Sequence, residues 1–351
     1  MRDVAIVSFA QTPSWRRSPQ DDVEMVQSVC QRAVEGSGLP RDAIGFTVSG
    51  SCDLLIGRPF SFVMALDGAG AWPPISESHV EMDGAWALYE AWVRLQHGDV
   101  DAALVYAFGR PSCGPLPDVM VLQLDPYCVA PLWPDAISIA ALQARALLDA
   151  GRATERDFAE VVARSRRAAL DNPDAQLRGD PTPDALLAEP TTTAPLRRHD
   201  CPPISDGAAA LVLVAGDLAR RICPRPAWIR SIDHRIEPHG LGMRDLTRST
   251  STTLAARAAG DAPVDVAELH APFSPQELIV REALGGLIGP ETRVNPSGGA
   301  LAANPMMVAG LSRLGLAARE ILEGRARRAL GHATSGPALQ QNLVCVMEGE
   351  R

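Results

Sequence analysis

The 351-residue sequence contains no lysine; all 33 of its basic residues are arginine. That absence removes imine catalysis by a lysine amine and leaves arginine as the only basic side chain for holding phosphate groups. Basic charge is also outnumbered, 33 residues against 42 acidic ones, which argues against a nucleic-acid-binding surface. No apolar stretch reaches the ~18 uncharged residues of a membrane-spanning helix. The chain opens on strand-like DVAIVSFA without a basic segment and apolar signal core, so no leader is expected. Its seven cysteines (Cys30, Cys52, Cys113, Cys128, Cys201, Cys223, Cys345) show no C-x-x-C spacing. Odd in number and scattered, they fit reduced thiols of a soluble cytoplasmic protein, neither a disulfide framework nor a zinc site. His234 and His239 match no common ligand spacing, and no metal is expected.

What is present is an alternation of β-branched runs and helical ones. DVAIVSF reads as a strand, VEMVQSVCQRAVEGSG as an amphipathic helix ending at glycine, AIGFTVSG as a strand, 80–97 as a helix and DAALVYAFG as a strand. A similar order recurs in AWIRSIDHRI, STTLAARAAG, VDVAELHA and SPQELIVREALG, followed by a Gly-rich turn, a helix over 303–323 and the closing strand LVCVME. The pattern predicts an α/β fold of two similar halves with mostly parallel sheets, although residue-level similarity between the halves is weak. Pro-rich loops around helices at 135–151 and 154–170 separate the halves and resemble an inserted cap. The expected division is a first half over 1–115, an inserted loop domain over 116–203, the end of the first half over 204–218 and a second half over 219–351.

The stretch VEMDGAWALYEAW (80–92) places Glu81 and Asp83 ahead of a helix with apolar residues on several faces, as in a central buried helix. Asp83, directly before Gly84, reads as an N-cap. Glu81, two residues upstream, has no such role. There the helix dipole keeps a carboxylate ionised while desolvation opposes it, a conflict that tunes a usable base.

Four segments in order carry a family resemblance: ALQARALLDAGRATERDFAEVVARSRRAALDNPDAQ (141–176), CPPISDGAAALVLV (201–214), VDVAELHAPFSPQEL (264–278) and VNPSGGALAANP (294–305). Together they resemble the thiolase superfamily, especially its sterol-carrier-protein-x-type branch, over nearly the whole chain. The resemblance implies a five-layered αβαβα fold and, usually, a dimer. The family's chemistry uses a cysteine nucleophile at a helix N-terminus, a histidine in a Gly-His-Pro loop, and a second cysteine near the C-terminus that moves the α-proton. Here a gapless alignment puts Glu81 at the nucleophile position; a shift of one or two residues puts Asp83 there, and no cysteine falls there either way. The Gly-His-Pro triplet reads Ala303-Asn304-Pro305, and the C-terminal motif reads HATSGPALQQN, with His332 and Ser335 and no thiol. His270 matches the family's Asn/His position, which holds the thioester oxygen or a water.

The resemblance thus marks Glu81, Asp83, His270, Asn304 and His332 as candidate catalytic residues. Asn295, Ser297, Gly298, Gly299 and Ser335 are candidate substrate contacts, with donors aimed at a developing enolate oxygen and glycines that permit close backbone approach. Each has a structural alternative: a hydrogen-bonded core histidine for His270, loop geometry for Asn295. For Arg110, Arg197 and Arg198, surface solvation competes with a CoA phosphate. The superfamily includes steroid side-chain-cleaving aldolases without the cysteines, acting on β-hydroxyacyl-CoA thioesters. Retro-aldol cleavage needs a base, a stabilised enolate and an acid, but no nucleophile. Tyrosines take acid/base roles in that branch, yet Tyr89, Tyr106 and Tyr127 do not match their positions. The expectation is an acyl-CoA retro-aldolase, a carbon–carbon lyase of sterol or bile-acid side-chain degradation, with no cofactor beyond the CoA of its substrate. It would act as a homodimer or with a thiolase-like or OB-fold partner. The alternatives are a silent subunit supporting an active paralogue, and an acyltransferase or hydrolase using Glu81 as base.

Overall fold

The computed structural model describes residues 2–350. Its strands are β1 (Val4–Gln11), β2 (Phe46–Gly50), β3 (Glu77–Val80), β4 (Ala102–Gly109), β5 (Thr191–Thr193), β6 (Leu196–Arg197), β7 (Gly207–Ala215), β8 (Ala227–Ile236), β9 (Val266–Leu269), β10 (Arg293–Val294), β11 (Arg328–Ser335) and β12 (Gln341–Glu348). All but the β5–β6 hairpin join in the order β10-β9-β11-β12-β8-β1-β7-β4-β2-β3. The outer strands of each half are parallel, β3-β2-β4 and β10-β9-β11. The inner strands, β4-β7-β1 and β11-β12-β8, are antiparallel. The halves therefore repeat one topology, with β1, β2, β3, β4 and β7 corresponding to β8, β9, β10, β11 and β12. They meet in a short antiparallel contact, Ala5 opposite Trp228 and Ile6 opposite Ala227. Strands β4 and β7 are buried at every residue and accordingly read as unbroken apolar runs.

The first-half helices are α1 (Asp22–Ser37), α2 (Asp53–Ile56), α3 (Ser61–Ala69) and α4 (Gly84–His97). Those between the halves are α5 (Leu116–Leu122), α6 (Ala136–Asp149), α7 (Glu155–Ala168) and α8 (Pro183–Leu187). The remainder are α9 (Gly216–Ile222), α10 (Thr250–Ala256), α11 (Ser274–Leu284), α12 (Gly299–Ala302) and α13 (Ala309–Leu322). Helices α4 and α13 share one apolar core with strands of both halves. Helices α1 and α3 cover the outer face of the first half, and α10 and α11 that of the second. The result is the five-layered αβαβα arrangement of the thiolase fold. The segment that begins at α5 packs α6 and α7 against α11. No helix among the described residues is long and apolar enough to cross a membrane.

Two helix boundaries differ from the periodicity. The segment 80–97 is helical only over Gly84–His97, because Val80 still pairs with Gly50 in the sheet. The run 303–323 becomes helical only at Ala309; Asn304–Val308 runs irregularly, with Met307 at a left-handed φ of 65°. Both helices thus begin later, and both lead-in segments face the same cavity.

Candidate active site

A cavity of about 540 Å³ opens where α4 and α13 begin, within the ~300–1,000 Å³ of typical ligand sites. Its walls are mostly apolar, from Leu54, Leu116, Met120, Ile137, Phe273, Met306 and Leu339, so the segment beginning at α5 supplies one side. Cys52, Glu81, Asp83, His270, Asn304 and Ser335 are among its polar groups.

The two acids ahead of α4 have different environments. Asp83 is 2% exposed and accepts backbone hydrogen bonds from Ala85 (2.8 Å), Gly310 (2.9 Å) and Leu311 (3.0 Å). One carboxylate thus caps α4 and binds the first turn of α13, satisfying orphan helix donors from both halves. Burial raises its pKa against those three amides and Arg313. A Cβ at Gly310 would collide with this carboxylate, so the contact requires glycine there. The Glu81 side chain is 52% exposed. Asp53 N–H donates to its Oε1 at 2.7 Å, and His79 Nε2 lies 3.3 Å from its Oε2. His79 is itself held by Ser49 Oγ at 2.9 Å and stacked on Phe62.

On the facing side, the buried His270 follows β9. Thr334 N–H donates to its Nδ1 at 3.4 Å, which places the proton on Nε2, and that N–H donates to Asn304 Oδ1 at 3.1 Å. Burial, with help from the nearby His332 and Arg313, lowers the His270 pKa to about 3. His270 is therefore a neutral imidazole with both nitrogens engaged. The Asn304 backbone is anchored by N–H donation to Ser205 Oγ at 3.2 Å. With Oδ1 taken by His270, the Asn304 amide N–H₂ is left without a protein acceptor among the described residues, at the cavity wall. It is a pre-aimed donor for an oxyanion.

Five sequence candidates lie away from the cavity lining. His332 is fully buried, 3.0 Å from Asn342 Oδ1 through Nε2, and burial lowers its pKa to about 4. Asn295, at φ 50°, accepts from Leu269 N (2.6 Å) and donates to Glu277 (2.9 Å), which holds the turn after β10. Ser297 completes a buried Glu268–Arg313 ion pair of 3.0 Å. Gly298 and Gly299 pack tightly; a Cβ on Gly298 would sit 2.7 Å from Ala169 and Ala302, and one on Gly299 2.8 Å from the Asn295 amide. Of the arginines considered for CoA, Arg110 faces the buried Asp22 at 3.5 Å and Arg197 pairs with Glu155 at 2.7 Å. Sequence reasoning missed Cys52, which lines the cavity beside Glu81. The available signal was its place just past β2, where the second half has His270 just past β9.

The fold is that of thiolase-like proteins, and the chain is similar in sequence to enzymes acting on acyl-CoA thioesters. No family model matches the chain. It is 27% identical over 348 residues to the acetyl-CoA acetyltransferase of Methanothermobacter thermautotrophicus, covering 89% of each chain. It is also 27% identical over 308 residues to the 17-hydroxy-3-oxo-4-pregnene-20-carboxyl-CoA lyase of Mycobacterium tuberculosis, covering 80% of this chain and 78% of the relative. A solved "Ltp2-ChsH2(DUF35) aldolase" has the same fold at a TM-score of 0.79 and 19% identity, over 99% of this chain and 98% of that one. At the same identity, its relatives thus include both an acyltransferase and a steroid acyl-CoA lyase.

Proposed function

We propose that the protein cleaves a β-hydroxyacyl-CoA by a retro-aldol reaction, as a carbon–carbon lyase acting on a sterol or bile-acid side chain. The observation that supports this most is the pairing, in one largely apolar cavity, of a free amide donor on Asn304 with a partly exposed carboxylate on Glu81. Exposure favours Glu81 as the base. Asp83 is 2% exposed and held by three backbone amides, Asp135 caps α6 through Ser138 N–H at 2.7 Å, both His270 nitrogens are engaged, and His332 is outside the lining. The Glu81 side chain, though it accepts from Asp53 N–H and lies near His79, is 52% exposed. Glu81 removes the β-hydroxyl proton as the Cα–Cβ bond breaks, and the Asn304 amide stabilises the thioester oxygen of the enolate that forms. His270 acts through Asn304 by turning the amide N–H₂ toward the substrate. The reaction needs no cofactor beyond the CoA of the substrate.

No arginine lines the cavity among the described residues, whereas Glu81, Asp83 and Asp135 do. A CoA diphosphate held here would lack cations, so the phosphates bind outside the cavity, with a second subunit supplying charge. The aldolase neighbour carries DUF35 in its name; an OB-fold or thiolase-like partner is the corresponding proposal here. The test is to incubate the chain, alone and with such partners, with a steroid β-hydroxyacyl-CoA. The expected products are a steroid carbonyl compound and a shortened acyl-CoA, with formation lost in Asn304→Ala and Glu81→Gln. Cleavage unaffected by both substitutions overturns the site. No cleavage with any partner overturns the lyase reading in favour of a subunit that supports an active paralogue.

A further inference from the structure

The retro-aldol reading leaves one step without a residue: an acid must return a proton to the α-carbon. The repeated topology indicates where to look. Just past β9 and ahead of α13, the second half places His270 and Asn304; just past β2 and ahead of α4, the first half places Cys52 and Glu81. All four line one cavity.

We propose that Cys52 is the acid that protonates the α-carbon, and that Glu81 restores its proton. Three observations carry this assignment, which rests on the retro-aldol reading. The Cys52 thiol is partly exposed in the cavity, and the N–H of the adjacent Asp53 donates to the Glu81 carboxylate at 2.7 Å, which brings that carboxylate beside Cys52. The Asn304 amide, on a residue only 8% exposed, is aimed into the same cavity without a protein acceptor and marks the position of the enolate oxygen. The other thiol in the lining, Cys201, donates instead to the Arg197 carbonyl at 3.7 Å, and no tyrosine lines the cavity among the described residues. Burial first, then the charge of Glu81, raises the Cys52 pKa against the amides of Leu55 and Leu54, so the thiol rests protonated, as an acid must.

The protons and electrons balance within the site. Glu81 accepts the β-hydroxyl proton, the alkoxide pair becomes the new carbonyl bond, and the Cα–Cβ pair moves into the thioester enolate. The enolate carbon then takes the proton of the Cys52 S–H, leaving a thiolate. The proton stored on Glu81 passes to that thiolate. Both groups return to their starting forms, and the net change is transfer of the β-hydroxyl hydrogen to the α-carbon.

The partial reaction tests this without cleavage. Full-length protein, alone and with the candidate partner, is incubated in D₂O with acetyl-CoA and propionyl-CoA as probes, and α-deuteration is followed by mass spectrometry. Wild type exchanges the α-protons; Cys52→Ala and Cys52→Ser lower the rate about 100-fold, the contribution of a positioned general acid, while Cys52→Ser keeps the wild-type melting temperature. Exchange by folded Cys52→Ser at the wild-type rate, or none by wild type, overturns the assignment. Exchange that depends on Cys52, with no cleavage of any β-hydroxyacyl-CoA, keeps Cys52 as the acid of enolisation and overturns the lyase reading. Steroid cleavage that survives Cys52→Ser overturns the acid and leaves the lyase.

Discussion

The two halves of this chain share a strand order but supply different chemistry at corresponding places. The second half provides His270 and Asn304, both buried and tied to each other through a neutral imidazole. The first half provides Glu81 and Cys52, both partly open to the cavity. A buried, hydrogen-bonded pair holds one charge state and stabilises charge that develops nearby. A partly solvated pair exchanges protons. The repeat fixes where the side chains stand; burial decides what each can do. Asp83 and Glu81, both at the cavity, repeat the contrast within three residues, the first a buried structural clamp and the second half-exposed.

The largest expected effect comes from breaking the clamp that joins the halves. Asp83→Ala strands three buried backbone donors and should lower unfolding stability by ~3–5 kcal/mol in urea titrations. Glu81→Gln, at a half-exposed site, should change it by less than about 1 kcal/mol by the same measurement. Equal losses would erase the distinction between the two acids. On the second-half side, Asn304→Ala should reduce kcat by ~10²–10³, as for loss of one oxyanion donor. His270→Gln should cost about 10-fold in kcat if the imidazole acts only by positioning. Because His270 titrates near pH 3, its ionisation should leave no inflection in the kcat profile between pH 5 and 8; an inflection removed by His270→Gln would make it an acid/base group. The buried imidazoles of the second half also affect acid stability. His270 and His332 bind protons less readily when folded, with pKa values of about 3 and 4, than in the unfolded chain at ~6.5. The unfolded state therefore gains protons as pH falls below ~6.5, and stability declines from there toward pH 3. His332→Gln should flatten that decline in pH-dependent melting curves.

The frame was legible because β1 and β4 are long, apolar runs and because α1 ends at a glycine. Strand β3 was not, since its four half-buried residues, ESHV, carry no alternation. The mixture of parallel and antiparallel pairing was also hidden, because β7 reaches its place between β1 and β4 only after the long excursion through α5–α8. Within the site, motif positions pointed to Glu81, His270 and Asn304 and could not say which way each side chain faces. Ser297, Gly298 and Gly299 read as ligand-facing, yet the partners that turn them inward, Glu268, Arg313 and Ala169, are far away in sequence. Cys52 belongs to no motif; only the shared strand-end position brings it to Glu81.

The most direct test is the rate of steroid β-hydroxyacyl-CoA cleavage by Glu81→Gln beside wild type, with melting temperature read on the same samples. A fall of about 100-fold or more at an unchanged melting temperature is the predicted result. Cleavage at the wild-type rate would contradict the account.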